Sequence, residues 1–107
     1  MTAWLFLLLA IAFEIVGTAL LKLSNGFENM MWGGLSLMAY WVSLWFLAPA
    51  LKTIPIGVAY AIWAGVGIMA VAVIGYFFFD QRLALAQYVF IVMILTGAVG
   101  LRLTTNA

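Results

Sequence analysis

One acidic side chain interrupts a long apolar run in this chain: Glu14, with residues 2–13 before it and 15–21 after it carrying no other charge. Placing a charge near the middle of a hydrocarbon layer costs roughly 2.5 to 17 kcal/mol depending on the reference state, so a carboxylate kept there binds a proton, an ion or a cationic guest. Its neighbours at three- and four-residue helical spacing are Ala10, Ile11, Gly17 and Thr18, mostly small side chains that leave room for a guest and are candidates to line it. A second apolar run aligns Gly33, Ser36, Tyr40 and Ser43 on one comparatively polar face, expected to point inward, with Tyr40 and Ser43 as candidate contributors. A third places Tyr60, Trp63 and Gly67 within two turns. That gives two aromatic faces for a cation and a hydroxyl for the carboxylate. Spacing alone leaves Trp63 either a face for a cation or a packing residue. Gly65 and Gly67 are either packing contacts or the point at which the third helix bends during a conformational exchange.

The elements that must position these residues follow from composition. Hydrophobic residues make up 69% of the 107 and charged residues 7%, which places the chain in the membrane class. The apolar runs predict a single four-helix transmembrane domain over residues 1–107, an all-α fold with helices at about 2–21, 30–51, 57–79 and 84–101. Each run is long enough to cross a hydrocarbon core of ~30 Å. Lys22 follows the first run instead of preceding it, the wrong order for a cleavable signal peptide, so that run is read as helix one. Almost nothing remains for a soluble domain, which argues against an enzyme. The sequence has no cysteine and no histidine, so no disulfide, thiol redox chemistry or His/Cys metal site is expected, and no cofactor. A net charge of +1 offers no field for nucleic acid.

Short connections at Ser24-Asn25-Gly26, Thr53-Ile54-Pro55 and Asp80-Gln81-Arg82 make neighbouring helices antiparallel. With four spans, Lys52 and Arg102 share one side of the membrane and Lys22 and Arg82 the other. Orientation follows the excess of Lys and Arg in the connections, and here there is none, so insertion in both directions and an antiparallel homodimer are expected. On helix four, Thr96 and Gly100 form a small-xxx-small pair beside Gly97, a surface on which two backbones approach closely; these three residues are the candidate dimer interface.

Over essentially its full length the chain resembles the small multidrug resistance transporters. The resemblance rests on Glu14 followed by Gly17-Thr18 and Leu21-Lys22, on Ser24-Asn25-Gly26-Phe27, on the stretch from Ile54-Pro55-Ile56-Gly57 through Tyr60 and Trp63 to Gly65-Val66-Gly67, and on Gln81-Arg82-Leu83. It implies a four-helix protomer, a dual-topology antiparallel homodimer, and exchange of protons for small organic cations across a bacterial inner (plasma) membrane. Carried over residue by residue, Glu14 is the shared proton and substrate carboxylate. Tyr60 and Trp63 are its aromatic partners, Tyr40 and Ser43 contribute from helix two, and Ala10, Ile11, Gly17 and Thr18 line the pocket. The family divides into exporters of bulky hydrophobic cations and exporters of guanidinium. The guanidinium type usually carries a tryptophan where this chain has Gly17, which favours export of lipophilic, aromatic and quaternary ammonium cations, with guanidinium export as the alternative. Phe90 stands where many multidrug members have a glycine, a departure on the helix expected to form the dimer contacts.

An even division of basic residues carries a direct consequence. Single cysteines introduced into the 24–29 connection of this cysteine-free chain are expected to react with a membrane-impermeant thiol reagent from both sides of the membrane. Two added arginines in that connection restrict labelling to one side; labelling from one side only in the unmodified background would contradict dual insertion.

Overall fold

The computed structural model describes residues 2–105. Four α-helices account for nearly all of them: α1 (Thr2–Leu23), α2 (Met30–Ala50), α3 (Ile56–Phe78) and α4 (Leu85–Thr104). Each is long and apolar enough to cross a membrane. The helix ends depart from the apolar runs by up to three residues. α1 continues through Lys22 to Leu23 and α4 through Arg102 to Thr104, because a basic residue in the last turn complements the helix dipole and its long stem follows the apolar surface.

Local chemistry sets the connections. Between α1 and α2 the chain turns through Asn25, Gly26 and Phe27, all at positive φ, and Ser24 holds the turn by donating to the Leu21 carbonyl at 2.6 Å and accepting from the Phe27 amide at 3.1 Å. The unusual φ of Phe27 is balanced by its ring seating on Gly33, where an added Cβ would fall 2.7 Å from the ring edge. Asn29 caps α2 by accepting from the Met31 amide. Pro55 caps α3 and fixes the extended entrance to it. At the α3–α4 connection the Gln81 amide donates to the Gly75 carbonyl at 2.8 Å, folding the loop back over the end of α3.

The helices do not close into a bundle. α1 packs along α2, α3 along α4, and α1 joins α3, so the order across the molecule is α2, α1, α3, α4. The Cα envelope of 43 × 34 × 17 Å is that of a slab. α4 is the least covered of the four, with Ala98 its only buried residue.

The α1–α2 contact is built on two serines. Ser36 donates to the Gly17 carbonyl and Ser43 to the Ala10 carbonyl, each at 2.7 Å and each fully buried. The two bonds are seven residues apart on both helices, the same two-turn step, which fixes the antiparallel register. Interhelical bonds of this kind contribute about 0.6 to 2 kcal/mol each in lipid, and they require the small residues at 10 and 17 that let the backbones approach. Phe46 adds ring contacts to Phe13 and Phe6 further along the same seam.

The α3–α4 contact depends on Gly65, where a Cβ would lie 2.8 Å from that of Ala98. Gly65→Leu is therefore expected to destabilise the fold by about 1 to 3 kcal/mol through overpacking, read as an earlier midpoint in a denaturing-detergent titration. Gly34→Ala, at a helical glycine with open space around it, is expected to leave the midpoint unchanged or raise it.

Candidate functional site

Glu14 lies near the midpoint of α1, half-buried, on the side turned toward α3. Thr18, one turn along, donates from Oγ1 to Glu14 Oε1 at 2.9 Å. The same Oγ1 lies 2.7 Å from the Tyr40 hydroxyl of α2. A threonine hydroxyl has a single proton, so when Thr18 donates to the carboxylate it must accept from Tyr40, and the three groups form a directed chain Tyr40 to Thr18 to Glu14. Protonation of Glu14 at Oε1 reverses that chain. The hydroxyl of Thr18 thus offers the acid a donor when it is ionised and an acceptor when it is protonated at Oε1.

The other carboxylate oxygen faces α3. Gly67 is where a Cβ would come 3.5 Å from Glu14 Oε2, so the absence of a side chain there keeps the approach to the carboxylate clear. A cavity of about 420 Å³ begins at this point, with Trp63 and Ala64 on one side of Glu14 and Ile68, Val71 and Ala72 further along α3. It runs to the α3–α4 connection, where Gln81 and Leu83 line its far end. No Lys or Arg lines it, and the only ion pair among the described residues is the exposed Arg82 to Asp80 contact at 3.5 Å. Glu14 is thus a carboxylate with one hydroxyl donor on one oxygen, a largely apolar cavity bearing Trp63 at the other, and no basic side chain beside it.

Some of the residues singled out from spacing meet here and others do not. Glu14, Trp63 and Gly67 share the cavity wall, and Thr18 and Tyr40 reach it through hydrogen bonds. Ala10, Ile11 and Ser43 do not line it: Ala10 and Ser43 are buried in the α1–α2 seam, where Ser43 donates to the Ala10 carbonyl, and Ile11 is buried in the apolar core with Leu7, Ala59 and Ile62. Gly17 is turned the same way, with the Tyr40 ring 3.0 Å from where its Cβ would be and the Ser36 carbonyl at 3.3 Å. Its smallness serves helix packing and the placement of Tyr40. Tyr60 is 72% exposed on the outer face of α3, one turn from Trp63 and outside the protomer's own cavity. Gly65 packs on Ala98, and α3 runs unbroken through Gly65 and Gly67. Thr96, Gly97 and Gly100 lie on the exposed side of α4, with open space at both glycines. The spacing argument missed Ala64, Ile68, Val71 and Ala72: Val71 continues the 60–63–67 stripe by one turn, whereas Ala64, Ile68 and Ala72 form the next row around the helix. Trp4, near the start of α1, is buried against the other helices beneath the Arg102 guanidinium.

A carboxylate held at mid-span on an apolar, aromatic cavity, with almost no chain outside the spans, defines a membrane transporter. Residues 2–94 match the family described as Small Multidrug Resistance protein. The chain is 42% identical over 100 residues to an uncharacterized membrane protein, YvaE, of Bacillus subtilis, spanning 94% of this chain and 84% of that one. It is 36% identical over 107 residues both to the quaternary ammonium compound-resistance protein QacE and to the multidrug transporter EmrE of Escherichia coli. Each of those matches covers 100% of this chain and 97% of the relative. The chain belongs to the small multidrug resistance family and is a multi-pass protein of the bacterial inner (plasma) membrane.

The directed chain is testable on its own. In protein carrying 13C-labelled tyrosine, the ring Cζ resonance of Tyr40 is expected to follow the titration of Glu14, and Thr18→Val to uncouple the two. A Tyr40 signal that still tracks Glu14 without the Thr18 hydroxyl would rule the chain out.

Proposed function

We propose that this protein is a proton-coupled antiporter that exports lipophilic, aromatic and quaternary ammonium cations, working as an antiparallel homodimer of dual topology. The observation that carries the reading is Glu14, the one acid inside a span, facing a cavity walled by Trp63 and free of basic side chains. A buried carboxylate without a counter-ion is neutralised by a proton or by a cationic guest. The two compete for the same oxygens, and linkage requires each to weaken the other's binding by the same factor. Exchange follows provided the empty, ionised protein seldom reorients.

Each neighbour has a part in this cycle. Trp63 offers its ring face to an organic cation, an attraction of about 0.5 to 2 kcal/mol that strengthens as water is excluded. Gly67 keeps the space beside Oε2 open. Thr18 and Tyr40 hold the carboxylate's orientation in both protonation states by reversing their hydrogen bonds. The cavity gives out toward the connection that carries Gln81 and Arg82, so a single protomer offers a route to one membrane face. A slab of this kind leaves one side of the site unwalled, and a second, inverted copy would close it, bringing a second Glu14 to the guest. The exposed Tyr60 is then available as a further aromatic wall. Two carboxylates sharing one site lose their protons in two coupled steps. The exposed small face of Thr96, Gly97 and Gly100 is the seam at which α4 of one copy meets α4 of the other. Gly17 supports bulky cations over guanidinium through the resemblance alone, since the guanidinium branch usually carries a tryptophan there; in this fold it makes room for the Tyr40 ring.

Purified native protein is expected to release protons when a quaternary ammonium dye is added, and Glu14→Gln to release none. Trp63→Gly should weaken binding of an aromatic cation by roughly tenfold, about 1.4 kcal/mol, and leave a small non-aromatic cation such as guanidinium little changed. Proton release that survives in Glu14→Gln would place the site elsewhere, and transport of guanidinium in preference to the dye would assign the chain to the other branch of the family.

A further inference from the structure

A second cavity, of about 290 Å³, lies on the far side of α3 from Glu14's approach, between α1, α3 and α4. Trp4, Leu7 and Ala98 form its buried floor, and Val99 and Leu103, both exposed, stand at its mouth. It is apolar throughout except at one end. There the Arg102 guanidinium lies over the Trp4 ring, 4.4 Å from its centroid. Dry apolar cavities of about 150 Å³ already take up a benzene-sized guest, so this one accommodates a length of hydrocarbon chain entering sideways from the bilayer.

The charge at its end has no acidic partner among the described residues. The N-terminus of α1, the α2–α3 connection with Lys52, and the C-terminus of α4 with Arg102 lie at one end of the molecule. The three acidic side chains of the sequence lie elsewhere: Glu14 at mid-span, Glu28 and Asp80 in the two connections at the opposite end. At that opposite end Arg82 pairs with Asp80, whereas Arg102 makes no ion pair or side-chain hydrogen bond among the described residues. A guanidinium seated on a ring keeps its in-plane N–H donors, the fork that fits a phosphate. The membrane supplies the missing anion, since a basic residue at the bilayer surface attracts anionic lipid.

We propose that the α1–α3–α4 cavity is a binding site for one anionic phospholipid, with an acyl chain between Trp4, Leu7 and Ala98 and the phosphate on Arg102. The site is compatible with the proposed dimer. On α4 the cavity residues Leu95, Ala98 and Arg102 form one stripe, Gly97 and Gly100 fall on nearly the opposite face of the helix, and the mouth residues Val99 and Leu103 lie between the two, beside Thr96. A lipid there braces α4, the most exposed helix, against α1. In an inverted pair, each leaflet would hold one such lipid.

The test is native mass spectrometry of the intact oligomer released from nanodiscs containing equal amounts of phosphatidylglycerol and phosphatidylcholine with the same acyl chains. One phosphatidylglycerol retained per protomer, with at least a fivefold preference over phosphatidylcholine, is expected. Arg102→Gln should reduce that preference to near unity. Lys52→Gln, which removes the other cation at the same end but does not touch the cavity, should keep it. Val99→Phe blocks the mouth with Arg102 in place, and so decides the matter independently of any contribution of Arg102 to folding; it should lower retention of both lipids. Equal retention of the two lipids by native protein, equal losses in Lys52→Gln and Arg102→Gln, or undiminished retention in Val99→Phe would each overturn the proposal. Added oleate replacing phosphatidylglycerol one for one would also overturn it, making the occupant a free fatty acid.

Discussion

An acid with no fixed counter-ion, set at the middle of a hydrocarbon layer, is the constraint on which the rest of this structure depends. The sequence contains four basic side chains, and all four lie at helix ends or in connections, so none can neutralise Glu14 permanently. A permanent salt bridge would silence the carboxylate, and a lipid-facing position would make its ionised form too costly to visit. The fold avoids both. It places Glu14 half-buried on a cavity and gives one oxygen a hydroxyl partner whose direction can reverse.

α1 does two jobs with two faces, and its small residues divide between them. Ala10 and Gly17 serve the seam with α2, where the carbonyls they carry accept from Ser43 and Ser36. That seam is rigid because its polar groups are satisfied within a dry contact, and it holds Tyr40 where its hydroxyl can reach Thr18. The opposite face of α1 meets α3, whose glycine and alanine positions leave volume in place of side chains. Rigid support on one side and open space on the other allow a guest to reach the acid without the helix pair loosening. The same division of labour recurs in α4, packed at Ala98 and bare at Gly97 and Gly100.

Much of this was legible in the sequence, and the misses share one cause. Four long apolar runs broken by Gly, Asn, Pro and charge give four helices with little ambiguity, because hydrocarbon thickness sets their length. Glu14, Trp63 and Gly67 were traceable because an unpaired acid and a glycine-rich aromatic stripe have few structural explanations. Ser43 and Ala10 were read as pocket residues because polarity and small size on a helix read the same whether they serve a ligand or a neighbouring backbone, and Ile11 because its spacing from Glu14 does not tell pocket from core. In lipid every helix face is apolar, so periodicity does not say which face meets which helix. For that reason the slab order α2, α1, α3, α4, the exposure of Tyr60 and the burial of Trp4 became visible only in three dimensions.

The proposed exchange requires the Glu14 carboxyl to surrender its proton when a cation occupies the cavity. Isotope-edited infrared difference spectroscopy observes this bond directly. With 13C-labelled glutamate in a Glu28→Gln background, Glu14 is the sole labelled carboxyl, since the sequence has no other glutamate. On addition of a quaternary ammonium cation, the protonated C=O band of Glu14 is expected to disappear and a carboxylate band to replace it. A carboxyl band that persists at saturating cation, or a carboxylate present before any cation is added and unaltered by acid, would contradict the account.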